Sequence, residues 1–272
     1  MGEAAFVLGI EIKRDRERKA LGLCQRNYID RVLKRFAMET CKAGESPMSK
    51  GDKLHSGQCP KNSLEKKEMD KRPYARLVGS LMYAQVCTRP DIAFSVGVLA
   101  RYKSNPGNDH WVAGKKVLRY LQKTKDYMLV YRRIEDQDLE IIGYTYSDYK
   151  GCIDDLKSTS RYIYMLAGGA ISWRSVKQSL TATSTMHAEY AAIHDATAAV
   201  FFAKNNKRST TSRNIDVKYY AVRESVRNNE IEIIKIGTLA QLADPFTKAI
   251  AVAPFQVHVK NMGVLENFDM AE

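Results

Sequence analysis

The sequence predicts an α+β fold, with helices gathered in the first half and strands in the second. Three observations carry that reading. Apolar residues recur at helical spacing over much of residues 25–122. From Leu139 the pattern changes to short alternating runs separated by turn residues. Charge is also divided unevenly: residues 1–133 hold 28 Lys and Arg against 14 Asp and Glu, whereas residues 134–272 hold 15 against 17. A first domain is therefore expected over 1–133 and a second over 134–265, with a tail at 266–272.

Taken in order, Phe6–Ile12 is β-rich, the charged stretch Lys13–Lys19 reads as a turn, and Leu21–Cys24 as the returning strand of a hairpin. Between Gln25 and Met38, Tyr28, Ile29, Val32, Leu33 and Phe36 fall at helical spacing. Residues 42–70 are polar, with Gly51, Gly57 and Pro60, and read as a loop. Helices are expected over Tyr74–Val86 and Asp91–Tyr102, the latter following Pro90 at a helix start. A third should run to Gln122 with Asp109 as its N-cap. Strands are expected at Leu139–Tyr146, Ser160–Ala167 and Ala170–Arg174, with Gly168-Gly169 as a hairpin turn. Ser184 or Thr185 can cap an Ala-rich helix reaching about Ala203. Glu230–Ile236 reads as a strand and Leu239–Lys248 as a short helix.

Composition narrows the function classes. The formal net charge of +12 lies in the first half, which favours a polyanionic partner such as nucleic acid. One helix carries Lys115, Lys116, Arg119 and Lys123 on its outer face, suited to following a phosphate backbone, although simple solvation would also place them there. Five cysteines without a C-x-x-C pair point away from a disulfide framework or zinc site and toward a reducing cytoplasmic or nuclear setting. The first residues lack a basic region with an apolar core, so no secretory signal is expected. No run of about 18 apolar residues occurs, so no membrane-spanning helix is expected.

Several runs carry a resemblance. Leu8–Ile12, Gly79-Ser80-Leu81-Met82-Tyr83-Ala84, Thr88-Arg89-Pro90-Asp91-Ile92-Ala93 and Leu118-Arg119-Tyr120-Leu121 resemble the end of the reverse transcriptase and the connection of copia-type retrotransposon Pol polyproteins. The stretch from Leu139 resembles the ribonuclease H domain of the same family, a mixed sheet here lacking a central strand. The family's polymerase motif Y-x-D-D occurs nowhere, so no polymerisation is expected.

The resemblance implies four acidic residues holding two Mg²⁺ or Mn²⁺ ions that hydrolyse RNA in an RNA/DNA hybrid. The first acid belongs to a pattern like Y-[ST]-D-x-D-[WY]-x-G. Here the run is Tyr144-Thr145-Tyr146-Ser147-Asp148-Tyr149-Lys150-Gly151, so Tyr146 takes that first position and Asp148 matches the second Asp. A phenol is neutral near pH 7 and cannot replace a bridging carboxylate. Glu189, in Ser184-Thr185-Met186-His187-Ala188-Glu189-Tyr190, keeps the second acid; His187 is given no role. The Asp-Asn pair bearing the third is missing before Lys204-Asn205-Asn206. Asp244 keeps the fourth.

Among possible substitutes, Asp148 lies roughly 6.5 Å along the strand from the lost position, and Asp195, six residues after Glu189, is rotated well away on its helix. Asp216 precedes an alternating run that offers a replacement strand, while the default reading of these acids is a solvated surface. The expected function is an inactive retrotransposon-derived fragment. The alternatives are a residual metal-dependent hybrid nuclease using Glu189, Asp244 and Asp148, and a basic nucleic-acid-binding module without catalysis. Loss of an inner strand should leave the second half only marginally stable.

Overall fold

The structure, a computed structural model, describes residues 2–133, 139–205, 215–237, 240–244 and 249–271; for residues 199–205 and 215–219 only the backbone is described. The predicted strand Phe6–Ile12 divides at Leu8 and Gly9, both at positive φ. β1 (Phe6–Val7) folds back on β2 (Ile10–Asp15), so β2 extends into the expected turn. That turn begins only after Asp15, whose carboxylate accepts the Arg18 N–H at 2.9 Å. β3 (Ala20–Cys24) returns alongside β2.

Helix α1 (Arg26–Arg35) follows, burying Ile29, Val32 and Leu33. Polar composition hides α2 (Ser63–Asp70) inside the expected loop. Its start is nonetheless well made: the Asn62 side chain accepts the Glu65 N–H at 2.8 Å, and Glu65 accepts the Lys61 N–H at 2.8 Å. α3 (Tyr74–Cys87) begins where expected. The Asp91–Tyr102 helix proves to be a 3₁₀ turn, Pro90–Ile92, leading into α4 (Ala93–Ala100). α5 (Asn108–Lys123) is capped by Gly107 rather than Asp109; the Gly107 N–H donates to Nδ1 of His110 at 2.8 Å. Asp109 falls inside the first turn, where an acid still favours the helix dipole.

The structure adds a strand the sequence reading lacks. β4 (Met128–Arg132) pairs antiparallel with β3, matching Leu23 to Leu129 and Leu21 to Tyr131. Near the C-terminal end, α8 (Val252–Asn261) leads to the two-residue β8 (Val264–Leu265), which pairs with β4. The resulting sheet has the order β1–β2–β3–β4–β8.

α3, α4 and α5 pack together around Leu77, Leu81, Leu99, Val117 and Leu118, none of them measurably exposed. Burying each such side chain contributes about 1.5–3 kcal/mol. Within this core lies a polar clasp made by Thr88-Arg89-Pro90-Asp91. Arg89 grips Asp91 with Nε and one terminal nitrogen, at 3.0 and 2.7 Å. The guanidinium also donates to the Thr124 carbonyl and hydroxyl at 3.0 and 2.6 Å. Tyr120 closes the set, its hydroxyl donating to Asp91 at 2.6 Å. Burial pulls the Arg89 pKa down, but the Asp91 carboxylate beside it outweighs burial and holds it above its ordinary value. The motif is therefore accounted for by packing: it ties the end of α3 to the end of α5.

A second sheet has the order β5 (Ile142–Asp148), β6 (Thr159–Leu166) and β7 (Gly169–Lys177). The expected hairpin forms, but its turn falls one residue earlier than the Gly168-Gly169 reading: Ala167 and Gly168 take positive φ and Gly169 already belongs to β7. α6 (Thr185–Asn205) packs on β5 and on α7 (Ile215–Arg227).

One alternative and one expectation fail here. Ile215 onward is helical, so Asp216 starts no replacement strand; its side chain lies outside the described residues. Residues 231–237 form no strand, and Ile233 and Ile234 stand 50% and 70% exposed. Their β propensity is real, but a strand exists only through a ladder partner, and this segment has none among the described residues. The expected helix Leu239–Lys248 lies partly outside the described residues; Leu242 and Ala243 form a turn.

The chain divides into two compact units that interleave instead of meeting at residue 133. One comprises residues 1–141, 165–170 and 248–272, and the other 142–164 and 171–247. The β6–β7 turn belongs to the first unit because Gly169 allows backbone to approach closely: a Cβ there would strike the Val130 carbonyl. The 266–272 tail joins it too, through a 3₁₀ turn at Phe268–Ala271 that packs on β4 and β8.

Candidate functional site

β5 carries Tyr146 and Asp148 half-buried on either side of the buried Ser147, so the two share one side of the strand as alternation requires. Beyond the strand end the chain turns through Lys150 at positive φ to Gly151. The Asp148 carboxylate fills the space where a Cβ on Gly151 would stand. It is thus folded back over its own turn.

α6 lies on β5 and orients its small residues inward: Ala188, Ala191 and Ala192 are buried, while Glu189 is exposed. His187 is occupied near the helix start, with Nδ1 2.5 Å from the Thr183 hydroxyl and its N–H donated to Ser184 Oγ at 3.2 Å. The loop bearing Asp244 is tied to the same strand, since Gln241 Nε2 donates to the Thr145 carbonyl at 3.0 Å. Asp244 itself is 9% exposed and its N–H donates to the Gln241 carbonyl at 3.1 Å. The structure thus gathers the elements bearing Tyr146, Asp148, Glu189 and Asp244 around β5. It does not gather the carboxylates: among the described residues no three His, Cys, Asp or Glu side chains converge as a metal would need.

The hub of this unit is a residue the sequence reading overlooked. Gln178, 6% exposed, donates from Nε2 to Ser160 Oγ at 2.8 Å, to the Ala188 carbonyl at 2.8 Å and to Ser147 Oγ at 3.3 Å. It joins β5, β6 and α6 beneath the strand that carries Asp148. No local signal marks it, because its partners come from three separate segments.

The basic stripe of α5 is partly neutralised. Loop residues Asp52 and Glu45 form ion pairs with Lys116 and Lys123. Lys115 is half-buried and Arg119 exposed. Gly44 packs against Arg119, its N–H donating to the Arg119 carbonyl at 3.0 Å. All five cysteines are free thiols. Among the described residues no helix is long and apolar enough to cross a membrane.

No protein-family profile matches the chain, and no solved structure does. Relatives are found by sequence. The retrovirus-related Pol polyprotein from transposon TNT 1-94 of Nicotiana tabacum is 37% identical over 98% of this chain, covering 22% of that protein. The corresponding polyprotein from transposon RE2 of Arabidopsis thaliana is 31% identical over 96% of this chain and 19% of its own length. Secreted RxLR effector protein 161 of Plasmopara viticola is 46% identical, but over only 46% of this chain and 87% of its own length. The chain thus spans about a fifth of the polyproteins it matches along nearly its whole length. Along nearly its whole length, then, the chain is similar to one stretch of retrotransposon Pol polyproteins.

Proposed function

We propose that this chain is a catalytically inactive remnant of the connection and ribonuclease H portion of a copia-type Pol polyprotein, retaining nucleic-acid binding through its basic first half. The observation that carries this is Tyr146, a phenol on β5 in the place of the first acid. Mg²⁺ or Mn²⁺ in a two-metal site needs several hard oxygens converging from different elements. Three carboxylates remain here, and they do not fit that need: Asp148 is turned over Gly151, Glu189 faces solvent, and Asp244 is buried in its turn. A missing segment is supported by the alignment to the TNT 1-94 relative, which runs over 294 positions against the 272 residues of this chain.

The test is cleavage of a labelled RNA/DNA hybrid with Mg²⁺ and with Mn²⁺. No turnover above a Glu189→Gln control is expected. Turnover that Glu189→Gln abolishes would instead establish a residual nuclease and overturn the proposal. Nucleic-acid binding is checked separately, by affinity that falls steeply as salt rises.

A further inference from the structure

A groove of about 550 Å³ opens on the first unit between the β1–β2 turn and helices α1 and α3. It lies on elements apart from the α5 stripe. Arg31 and Arg76, both exposed, stand in its wall, and no carboxylate lines it. Tyr28 and Tyr83 form an aromatic pair with centroids 4.7 Å apart. Both hydroxyls are committed to backbone: Tyr28 donates to the Ser80 carbonyl at 3.0 Å and Tyr83 to the Leu8 carbonyl at 2.6 Å. The rings are therefore held in place, and what Tyr83 offers solvent, at 39% exposure, is ring surface.

Gly79 makes the groove informative. It sits in the interior of α3, where glycine weakens a helix relative to alanine. Packing gives no reason for it, because a Cβ at that position would meet nothing within 4 Å. A bare helix wall between two arginines and a fixed aromatic ring is the arrangement that lets a chain of phosphates and flat bases lie close against backbone.

We propose that this groove is a binding track for single-stranded nucleic acid, in which Arg31 and Arg76 take phosphates and Tyr83 stacks on a base. The inference rests on the nucleic-acid reading above and adds a place and a strand type to it.

The experiment measures anisotropy of a labelled 20-nucleotide single strand with the full chain, its Gly79→Leu variant and its Arg31→Ala/Arg76→Ala variant. A duplex of the same sequence and poly-glutamate serve as competitors. Gly79→Leu should bind roughly tenfold more weakly with an unchanged or higher melting temperature, since leucine favours helix while filling the groove. The double Arg variant should lose affinity and flatten the salt dependence. Photocrosslinking of the wild type should map to Tyr83, which keeps the question answerable if a variant misfolds. Unaltered binding by both variants, or crosslinks only elsewhere, would overturn the groove while leaving nucleic-acid binding in place. Preferred binding of duplex would overturn the strand type, and equal competition by poly-glutamate would reduce the site to a general polyanion groove. No binding of any nucleic acid would remove both readings.

Discussion

Two arginines with at most 1% of their surface exposed hold the two units in different ways. Arg89, in the first unit, is met by a carboxylate. Arg161, on β6 of the second, donates from Nε to the Ser175 hydroxyl at 3.1 Å, among the buried Ser158, Thr159 and Ser160. The first unit thus concentrates its buried polarity in one charged clasp surrounded by leucines and valines. The second sets a buried guanidinium among hydroxyls, with Gln178 bonded to Ser147 and Ser160, and leaves Ile233 and Ile234 largely in solvent. A charged clasp is all-or-none, because removing one partner strands the other. A hydroxyl web fails piecemeal, with each lost bond contributing little.

The clasp offers the largest test of that contrast. Asp91→Ala strands a buried guanidinium and should destabilise the first unit by about 3–5 kcal/mol in urea unfolding. The double change Arg89→Met with Asp91→Leu should recover much of the loss, since apolar groups of similar volume need no partner. Hydrogen exchange followed by peptide should place the lost protection in residues 74–132. A loss below about 1 kcal/mol for Asp91→Ala, or equal damage by both changes, would mean that the clasp is incidental.

Gln178 is the next lever. Gln178→Ala should cost about 1–3 kcal/mol, spread over three bonds and confined to the second unit. Gln178→Glu should be worse, because a carboxylate cannot donate to the Ala188 carbonyl. The same exchange experiment tests whether the second unit opens at lower free energy than the first. Full protection across residues 139–250 in the wild type would contradict that.

How much could be read from the sequence follows the same division between local and distant interactions. Helices α1, α3 and α5 and the β6–β7 hairpin were legible, because periodicity and the Gly168-Gly169 turn are local signals. α2 was legible in principle from Asn62 and Glu65, but polar composition masked it. β4 was not: its reason to be a strand is β3, about a hundred residues earlier in the chain. Glu230–Ile236 shows the converse, a strong local propensity with no partner to make it a strand. At the candidate site the identities of Tyr146, Glu189 and Asp244 were legible. The direction of Asp148 depends on the turn to Gly151, and the neutralisation of Lys116 and Lys123 on a loop some seventy residues upstream. Neither leaves a trace in spacing.

The smallest predicted effect lies at the edge of the second unit, where charge does take part. Asp155 is held at about 2, first by the Cys152 thiol and then by Lys177, whose Nζ sits 2.7 Å away. A carboxylate lowered by folding stabilises the native state above its unfolded pKa of 3.8 and loses that contribution as pH falls toward 2. The pair is about a third exposed, so solvent screens it and the effect should be modest. Melting temperatures of wild type and Asp155→Asn should differ slightly at pH 6 and converge as pH drops through that window. Added salt at pH 6 should narrow the gap as well, since it screens Lys177 from the carboxylate. A gap that persists unchanged to pH 2 would show that Asp155 acts through its neutral hydrogen bonds alone. That edge of the second unit would then rest on uncharged contacts, which sharpens its contrast with the Arg89 clasp.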